Sequence, residues 1–314
     1  RRFLDFTVKD NPAKMANNFT WFETLNVIEF LRDIGKNFSV NYMLAKDSVD
    51  SRLGKGISYT EFSYMIMQAY DFLKLNQEHH CFLQIGGSDQ WGNITAGMEL
   101  IGKTTGQRVY GLTIPLVLKS DGTKFGKTES GTIWLDAAKT TPYQFYQFWI
   151  NTDDADVIRF LKYFTFLNPK EIEALEQEVA QSPELRAAQR VLAREVTALV
   201  HGEAAVESAE KITQALFQGN VAELSGAEIA EAFQDVPSTE LSGVEAIGLI
   251  DLLIAAQVSP SKRQARQDIE SGAIYVNGVR TMELDKVLVH SDRLSGKYIV
   301  LRRGKKNYYL VKFV

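Results

Sequence analysis

The feature that most restricts the fold is a change of hydrophobic period along one stretch of chain. Cys81–Ile85 is a short apolar run ending on Gly86-Gly87, Asn93–Lys103 has helical spacing, and Leu112–Leu118 is apolar again. A strand–helix–strand alternation implies a parallel α/β sheet. In such sheets ligands bind beyond the carboxyl ends of the strands, and glycines there let a ligand approach the backbone. The run Gln84-Ile85-Gly86-Gly87-Ser88-Asp89-Gln90-Trp91-Gly92-Asn93 is therefore a candidate site. Ser88 or Asp89 could cap the next helix, or the carboxylate could hold a ribose hydroxyl. No G-x-G-x-x-G is present to decide between them.

Upstream, Thr60–Leu75 has strong helical periodicity. Tyr64, Gln68 and Asp71 lie at i, i+4 and i+7, within about 60° of one helix face. Phe62, Met65, Ala69, Phe72 and Leu73 occupy much of the rest, so the helix is expected to be buried with its polar stripe facing a cavity; by periodicity alone the favoured alternative is a solvated stripe. Trp21–Lys36 reads as a further helix, Val40–Ile57 as a mixed segment turning at Gly54 and Gly56, and Phe3, Leu4, Phe6 and Val8 as a strand. The chain begins Arg1-Arg2-Phe3 without a methionine, which suggests a cut inside a domain.

Downstream, Leu112–Thr128 reads LTIPLVLKSDGTKFGKT. An apolar run breaks at Asp121-Gly122, and Lys124 and Lys127 follow, with Thr128 next. Paired ammonium groups beside flexible glycines suit a polyphosphate whose charge grows as a bond breaks. A P-loop would need G-x-x-x-x-G-K-[ST] opening a helix. Here the glycine spacing is one residue short, and Glu129-Ser130-Gly131-Thr132 follows instead. By pattern alone the alternative is an ordinary solvated turn.

Tyr64…Gln68…Asp71, then Gly86-Gly87-Ser88-Asp89-Gln90-Trp91-Gly92-Asn93, then Lys124-Phe125-Gly126-Lys127-Thr128 together resemble the bacterial tyrosyl-tRNA synthetases, a class I family. The resemblance spans essentially the whole chain. It implies a multidomain α/β protein: the second half of a Rossmann-like parallel sheet, then an α-helical domain, then a small α+β RNA-binding domain. The implied bounds are 1–140 for the carboxyl-terminal half of the catalytic domain, with a dimer-interface insertion over about 15–60. A helical anticodon-binding domain follows at 141–217, a linker at 218–245, and a ribosomal-protein-type RNA-binding domain at 246–314.

The resemblance also implies roles. Asp71 would accept a hydrogen bond from the substrate phenol, and Tyr64 and Gln68 would hold its ammonium. Gln90 would lie near the reacting carboxyl, and Gly87 and Asp89 at the ribose. Lys124, Lys127 and Thr128 would grip the phosphates of ATP, a substrate expected to carry Mg2+. Trp91 would help place the acceptor end of tRNA(Tyr). A homodimer is implied through Trp21–Tyr59, with Trp21, Phe22, Val27 and Phe38 as its apolar core. The family's His-x-Gly-His pattern has no match around His79, His80, His201 or His290. The chain is accordingly expected to be a carboxyl-terminal portion, inactive alone. The rival readings are a non-catalytic RNA-binding protein and a tryptophan–tRNA ligase.

Charge supports an RNA-facing end. The net charge of −4 conceals 12 Lys+Arg against 6 Asp+Glu over 247–314, and 23 against 33 elsewhere. A basic module on an acidic body suits a polyanionic partner. Arg263 and Arg266 lie on a helix opened by Ser261, and Arg302, Arg303, Lys305 and Lys306 surround a turn between strands. These six are expected to form one tRNA-facing surface. No resident metal is expected: Cys81, the only cysteine, and the scattered histidines make no ligand cluster. No apolar run is long enough to span a membrane, and a cytoplasmic location is expected.

Overall fold

A computed structural model describes residues 3–123, 125–128, 131–304 and 307–314. The chain divides into two compact units, 1–125 and 126–314.

In the first unit the expected parallel pair is present. β1 (Leu83–Gly87) and β2 (Tyr110–Ile114) run parallel, with Leu83 opposite Tyr110 and Gly87 opposite Ile114. The helix α6 (Trp91–Thr105) connects them, packed on α5 (Tyr59–His79). Ser58 and Glu61 form a reciprocal capping box at the start of α5, and His80, left-handed at φ 55°, ends it. Phe72, Leu100 and Ile101 are fully buried between the two helices. Gly97 permits this approach: a Cβ there would lie 2.9 Å from Phe72 Cδ1. Gln84, Gly86, Gly111 and Thr113 are half-buried, whereas Leu83, Ile85, Tyr110, Leu112 and Ile114 on alternate positions are exposed.

Several expectations for this unit are corrected. Phe3–Val8 forms no strand. The 21–36 helix is broken into α1 (Phe19–Phe22), α2 (Val27–Glu29), a π-helical turn Phe30–Ile34 and a 3-10 turn Gly35–Asn37. Asn26 causes the break, because its side chain accepts from the Glu29 amide at 3.0 Å and restarts the helix. The mixed segment becomes α3 (Val40–Leu44) and α4 (Asp47–Leu53), with Gly56 left-handed at φ 88°. Cys81 precedes β1, half-buried beside the α5–α6 core. β2 stops at Ile114 because Pro115 has no amide to donate.

The second unit opens with β3 (Lys127–Thr128) and β4 (Gly131–Thr132), an antiparallel pair. A helical body follows: α7 (Pro142–Ile150), α8 (Asp154–Phe164), α9 (Pro169–Gln181), α10 (Ala187–His201) and α11 (Glu203–Gln218). Phe145, Trp149, Phe160, Leu161, Leu192 and Val206 are buried in it. The sequence over Tyr143–Phe166 reads as one aromatic helix, but it is interrupted at Asn151, where α7 ends, before α8 restarts from Asp153.

Beyond α11, the segment expected as a linker carries α12 (Gly226–Ala232) and β5 (Ser238–Leu241). β5 pairs parallel with the last strand, Ser238 opposite Leu310. The remaining elements are β6 (Ala246–Gly248), α13 (Leu249–Ala255), α14 (Lys262–Glu270), β7 (Ile274–Val276), β8 (Val279–Arg280), β9 (Val287–Val289), β10 (Tyr298–Arg303) and β11 (Asn307–Phe313). The main sheet runs β5-β11-β10-β7-β8. Asn277-Gly278, a pair whose sequence reads as a hairpin turn, forms the turn between β7 and β8, with Asn277 at φ 50° and Gly278 at φ 86°. Among the described residues, no helix is long and apolar enough to cross a membrane.

Candidate active site and nucleic-acid interface

The polar face of α5 meets two separate sets of partners. Asp71 is half-buried. Its Oδ1 accepts from the Trp21 indole N–H at 2.9 Å, and its Oδ2 accepts from the Asn18 amide at 3.3 Å. A carboxylate has about four lone-pair directions, so one further donor, such as a phenol, can still be received. Trp21 is 7% exposed, and Phe22 packs edge-on against Tyr70 at 5.5 Å. Phe38 packs on the unit's core. These three, expected at a dimer contact, are thus turned inward; of the expected set only Val27, 70% exposed, is open.

Gln68 belongs to the second set. Its Oε1 accepts from Asn93 Nδ2 at 3.1 Å, which also donates to Gln90 Oε1 at 3.2 Å. Gln90 Nε2 in turn donates to Asp89 Oδ2 at 3.0 Å. This chain of amides ties α5 to the glycine run after β1. Neither Ser88 nor Asp89 caps α6, whose first turn has no side-chain cap. The capping reading of Asp89 is therefore set aside. Gly87 has a packing reason: a Cβ there would lie 2.5 Å from Asp89 Oδ1, so the glycine lets that carboxylate fold back over the strand end.

A cavity of about 720 Å3 opens beside this run. Tyr64, Asp89, Gln90, Trp91 and Asn93 line it, as do Lys46 and Arg52. Gln68, Asp71 and Gly87 do not. Lys46 stands 4.1 Å from the centre of the Tyr42 ring, and Arg52 pairs with Glu61 at 3.2 Å. Desolvation, then the Glu99 carboxylate, push the Tyr42 phenol up to about 12. Asn18, Trp21 and Asn93 had no assigned role here from sequence. Asn93 was visible in the run itself, whereas Asn18 and Trp21 reach Asp71 across some fifty residues and leave no local signal.

In the lysine loop, Asp121 Oδ1 accepts from the Thr123 hydroxyl at 2.6 Å and its amide at 2.8 Å. These bonds hold the Asp121 carboxyl below its ordinary range. Gly122 and Gly126 are left-handed at φ 81° and 80°. Lys124 lies outside the described residues, and Lys127-Thr128 form β3 rather than opening a helix, which disposes of the P-loop.

At the basic end, Ser261 caps α14 by accepting from the Gln264 amide at 3.2 Å, and Arg263 and Arg266 are exposed along that helix. Arg302 and Arg303 are more committed. Strand register places Arg302 opposite both Tyr275 and Tyr308, and its guanidinium lies 3.8 Å from the Tyr275 ring centre. Arg303 pairs with the buried Asp268 at 3.1 Å and donates to the Val258 carbonyl at 3.2 Å. Asp268 also accepts from Ser259 and Gln264. Of the six expected cations, Arg263 and Arg266 are thus exposed, whereas Arg302 and Arg303 are half-buried and engaged by neighbouring groups of the module. Lys305 and Lys306 lie outside the described residues.

A parallel sheet pair, a glycine run at a strand's carboxyl end and an RNA-type terminal module define a class that sequence comparison makes specific. Residues 1–218 match the family of class I tRNA synthetases (W and Y), and residues 228–311 match the tyrosine--tRNA ligase SYY-like C-terminal domain. The tyrosine--tRNA ligase of Geobacillus kaustophilus (strain HTA426) is 64% identical over 313 residues, 99% of this chain and 74% of that protein. Tyrosine--tRNA ligase 1 of Bacillus cereus (strain ATCC 10987 / NRS 248) is 64% identical over 312 residues, 99% of this chain and 74% of that protein. Among solved structures, a C-terminally truncated Aspergillus nidulans mitochondrial tyrosyl-tRNA synthetase is 35% identical with a TM-score of 0.55, covering 64% of this chain and 57% of that one. The chain belongs to the class I tRNA synthetases and, within them, to the tyrosine–tRNA ligase family. The tryptophan and non-catalytic readings are not favoured.

Proposed function

We propose that the chain serves ATP-dependent activation of tyrosine and its transfer to tRNA(Tyr). The observation that carries this reading is the Asp71 carboxylate, held by Trp21 and Asn18 on the same helix face as Tyr64 and Gln68. Two fixed donors orient the carboxylate and leave it room to accept the substrate phenol. Tyr64 and Gln68 hold the ammonium, Gln90 lies at the reacting carboxyl, and Gly87 and Asp89 take the ribose. Lys124, Lys127 and Thr128 stabilise the phosphates as pyrophosphate leaves, with Mg2+ on the ATP supplying further charge neutralisation. Trp91 on the cavity wall places the acceptor end of the tRNA. Arg263 and Arg266, with Lys305 and Lys306 of the adjoining turn, contact tRNA phosphates, and Arg302 and Arg303 shape that surface. A second copy of the chain docks on the exposed Val27, Ile28, Leu31 and Val40. A cytoplasmic location accompanies this reading.

Pyrophosphate exchange with ATP, Mg2+ and tyrosine tests the catalytic part. Because no His-x-Gly-His pattern occurs in these 314 residues, exchange by this chain alone is expected to be at least about a hundredfold below that of a complete ligase. Turnover near the complete enzyme's would refute that expectation. Exchange that responds equally to tyrosine and phenylalanine would refute the substrate assignment.

A further inference from the structure

Of the four side chains in the amide chain, Asn93 alone has no part in the reading above, yet it holds the middle. It is the third residue of α6 and half-buried. It does not cap its own helix, whose first turn has no side-chain cap. Instead its nitrogen commits both N–H groups inside the site. One goes to Gln68 Oε1 at 3.1 Å, across the packed helices α5 and α6, and one to Gln90 Oε1 at 3.2 Å.

The direction of these bonds is set from the exposed end. A carboxylate only accepts, so Gln90 must turn its NH2 to Asp89, and it does so at 3.0 Å. The Gln90 oxygen then faces Asn93, which must answer with its own NH2, and the Gln68 oxygen receives the other of those donors. Gln68 Oε1 has a second lone pair, an acceptor suited to an ammonium. Gln90 Nε2 has a second N–H, a donor suited to a carboxylate. One residue type is thereby set to two opposite tasks. The glycines after β1 make room for this. A Cβ on Gly86 would lie 3.0 Å from Gln90 Cβ, and one on Gly87 2.5 Å from Asp89 Oδ1.

We propose that Asn93 is a positioning residue for the amino-acid end of the substrate, holding Gln68 as acceptor for the ammonium and Gln90 as donor to the carboxylate. It touches neither substrate group itself. The substrate half of this rests on the tyrosine reading above. Without Asn93 each glutamine amide is free to turn over and offer the wrong pole, so binding must order both anew.

Nuclear magnetic resonance of the isotope-labelled full chain tests the network without any substrate. The side-chain N–H groups of Gln90 and Asn93 are expected to exchange with water at least about tenfold more slowly than those of an exposed glutamine. Exchange at the exposed rate in the parent would overturn the network. Asn93→Ala is expected to bring the Gln90 amide to within about threefold of the exposed rate. Gly86→Ala crowds Gln90 and leaves Asn93 in place, so there one of the two Asn93 N–H groups is expected to lose its protection. Unchanged protection in both variants would overturn the pairing of Asn93 with Gln90.

Titration with tyrosine and with p-cresol reads the role in binding. p-Cresol carries the phenol but neither the ammonium nor the carboxylate. Asn93→Ala is expected to weaken tyrosine about tenfold and p-cresol less than about twofold, because only tyrosine uses the two oriented amides. Equal weakening of both, or of neither, would show that Asn93 only packs and would overturn the positioning. A parent that binds neither ligand would refute the tyrosine reading instead, while amide exchange still judges the network.

Discussion

Asp71, the proposed acceptor of the substrate phenol, is held by residues that share no local pattern with it. Its position with Tyr64 and Gln68 could be read from helical spacing. The donors Trp21 and Asn18 could not, because their contact is a product of tertiary packing. Replacing Trp21 with Phe keeps the packing and removes the indole donor. This should weaken tyrosine binding by about five- to tenfold and lower stability by about 1.5–3 kcal/mol, the scale of one hydrogen bond to a charged group. Calorimetry and thermal melting check both, and unchanged tyrosine affinity would show that the indole does not orient the carboxylate. The arginines separate in the same way. Arg303→Ala strands the buried Asp268 and should cost about 1–3 kcal/mol of stability. Arg263→Ala should change stability by less than about 0.5 kcal/mol. It should lower the salt slope of tRNA binding by roughly one. Sequence showed both arginines only as charges in a basic run; burial of Asp268 is what tells them apart.

Elements whose stability is set within their own residues were legible. α5 announced itself by its apolar periodicity, and the β7–β8 turn by Asn277-Gly278. β5 was not, because Ser-Thr-Glu-Leu becomes a strand only by pairing with β11, some seventy residues later. The break between α7 and α8 was also missed, since aromatic residues on both sides continue the apolar pattern. The packing around Tyr143 has a pH signature. Burial, then the charges of Tyr308 and Glu231, push the Tyr143 phenol up to about 12 from an ordinary value of 10.0. The folded state therefore holds this proton more tightly than the unfolded chain does. Its contribution is fully present below about pH 10 and is lost as pH rises through about 12. Tyr143→Phe should consequently lose less stability than the parent over that alkaline range. Identical alkaline slopes in thermal melts of the two proteins would contradict this.

At the scale of the whole molecule, two properties follow from surfaces rather than from single sites. Val27, Ile28 and Val40 are 70%, 69% and 60% exposed, an apolar group on the segment that precedes α4. If a second copy covers it, Ile28→Asp should convert a dimer to a monomer, as sedimentation at micromolar concentration would show. A parent that is already monomeric would contradict that docking. The second property is substrate choice, on which the functional account turns. Calorimetric titration of the chain with tyrosine and with phenylalanine, repeated on Asp71→Ala, tests it most directly. The account predicts that tyrosine binds and phenylalanine is rejected, because phenylalanine leaves a desolvated carboxylate without its donor. It also predicts that Asp71→Ala weakens tyrosine by about ten- to a hundredfold and narrows the difference between the two amino acids. Equal affinity of the parent for both, or an Asp71→Ala chain that binds tyrosine as the parent does, would contradict it.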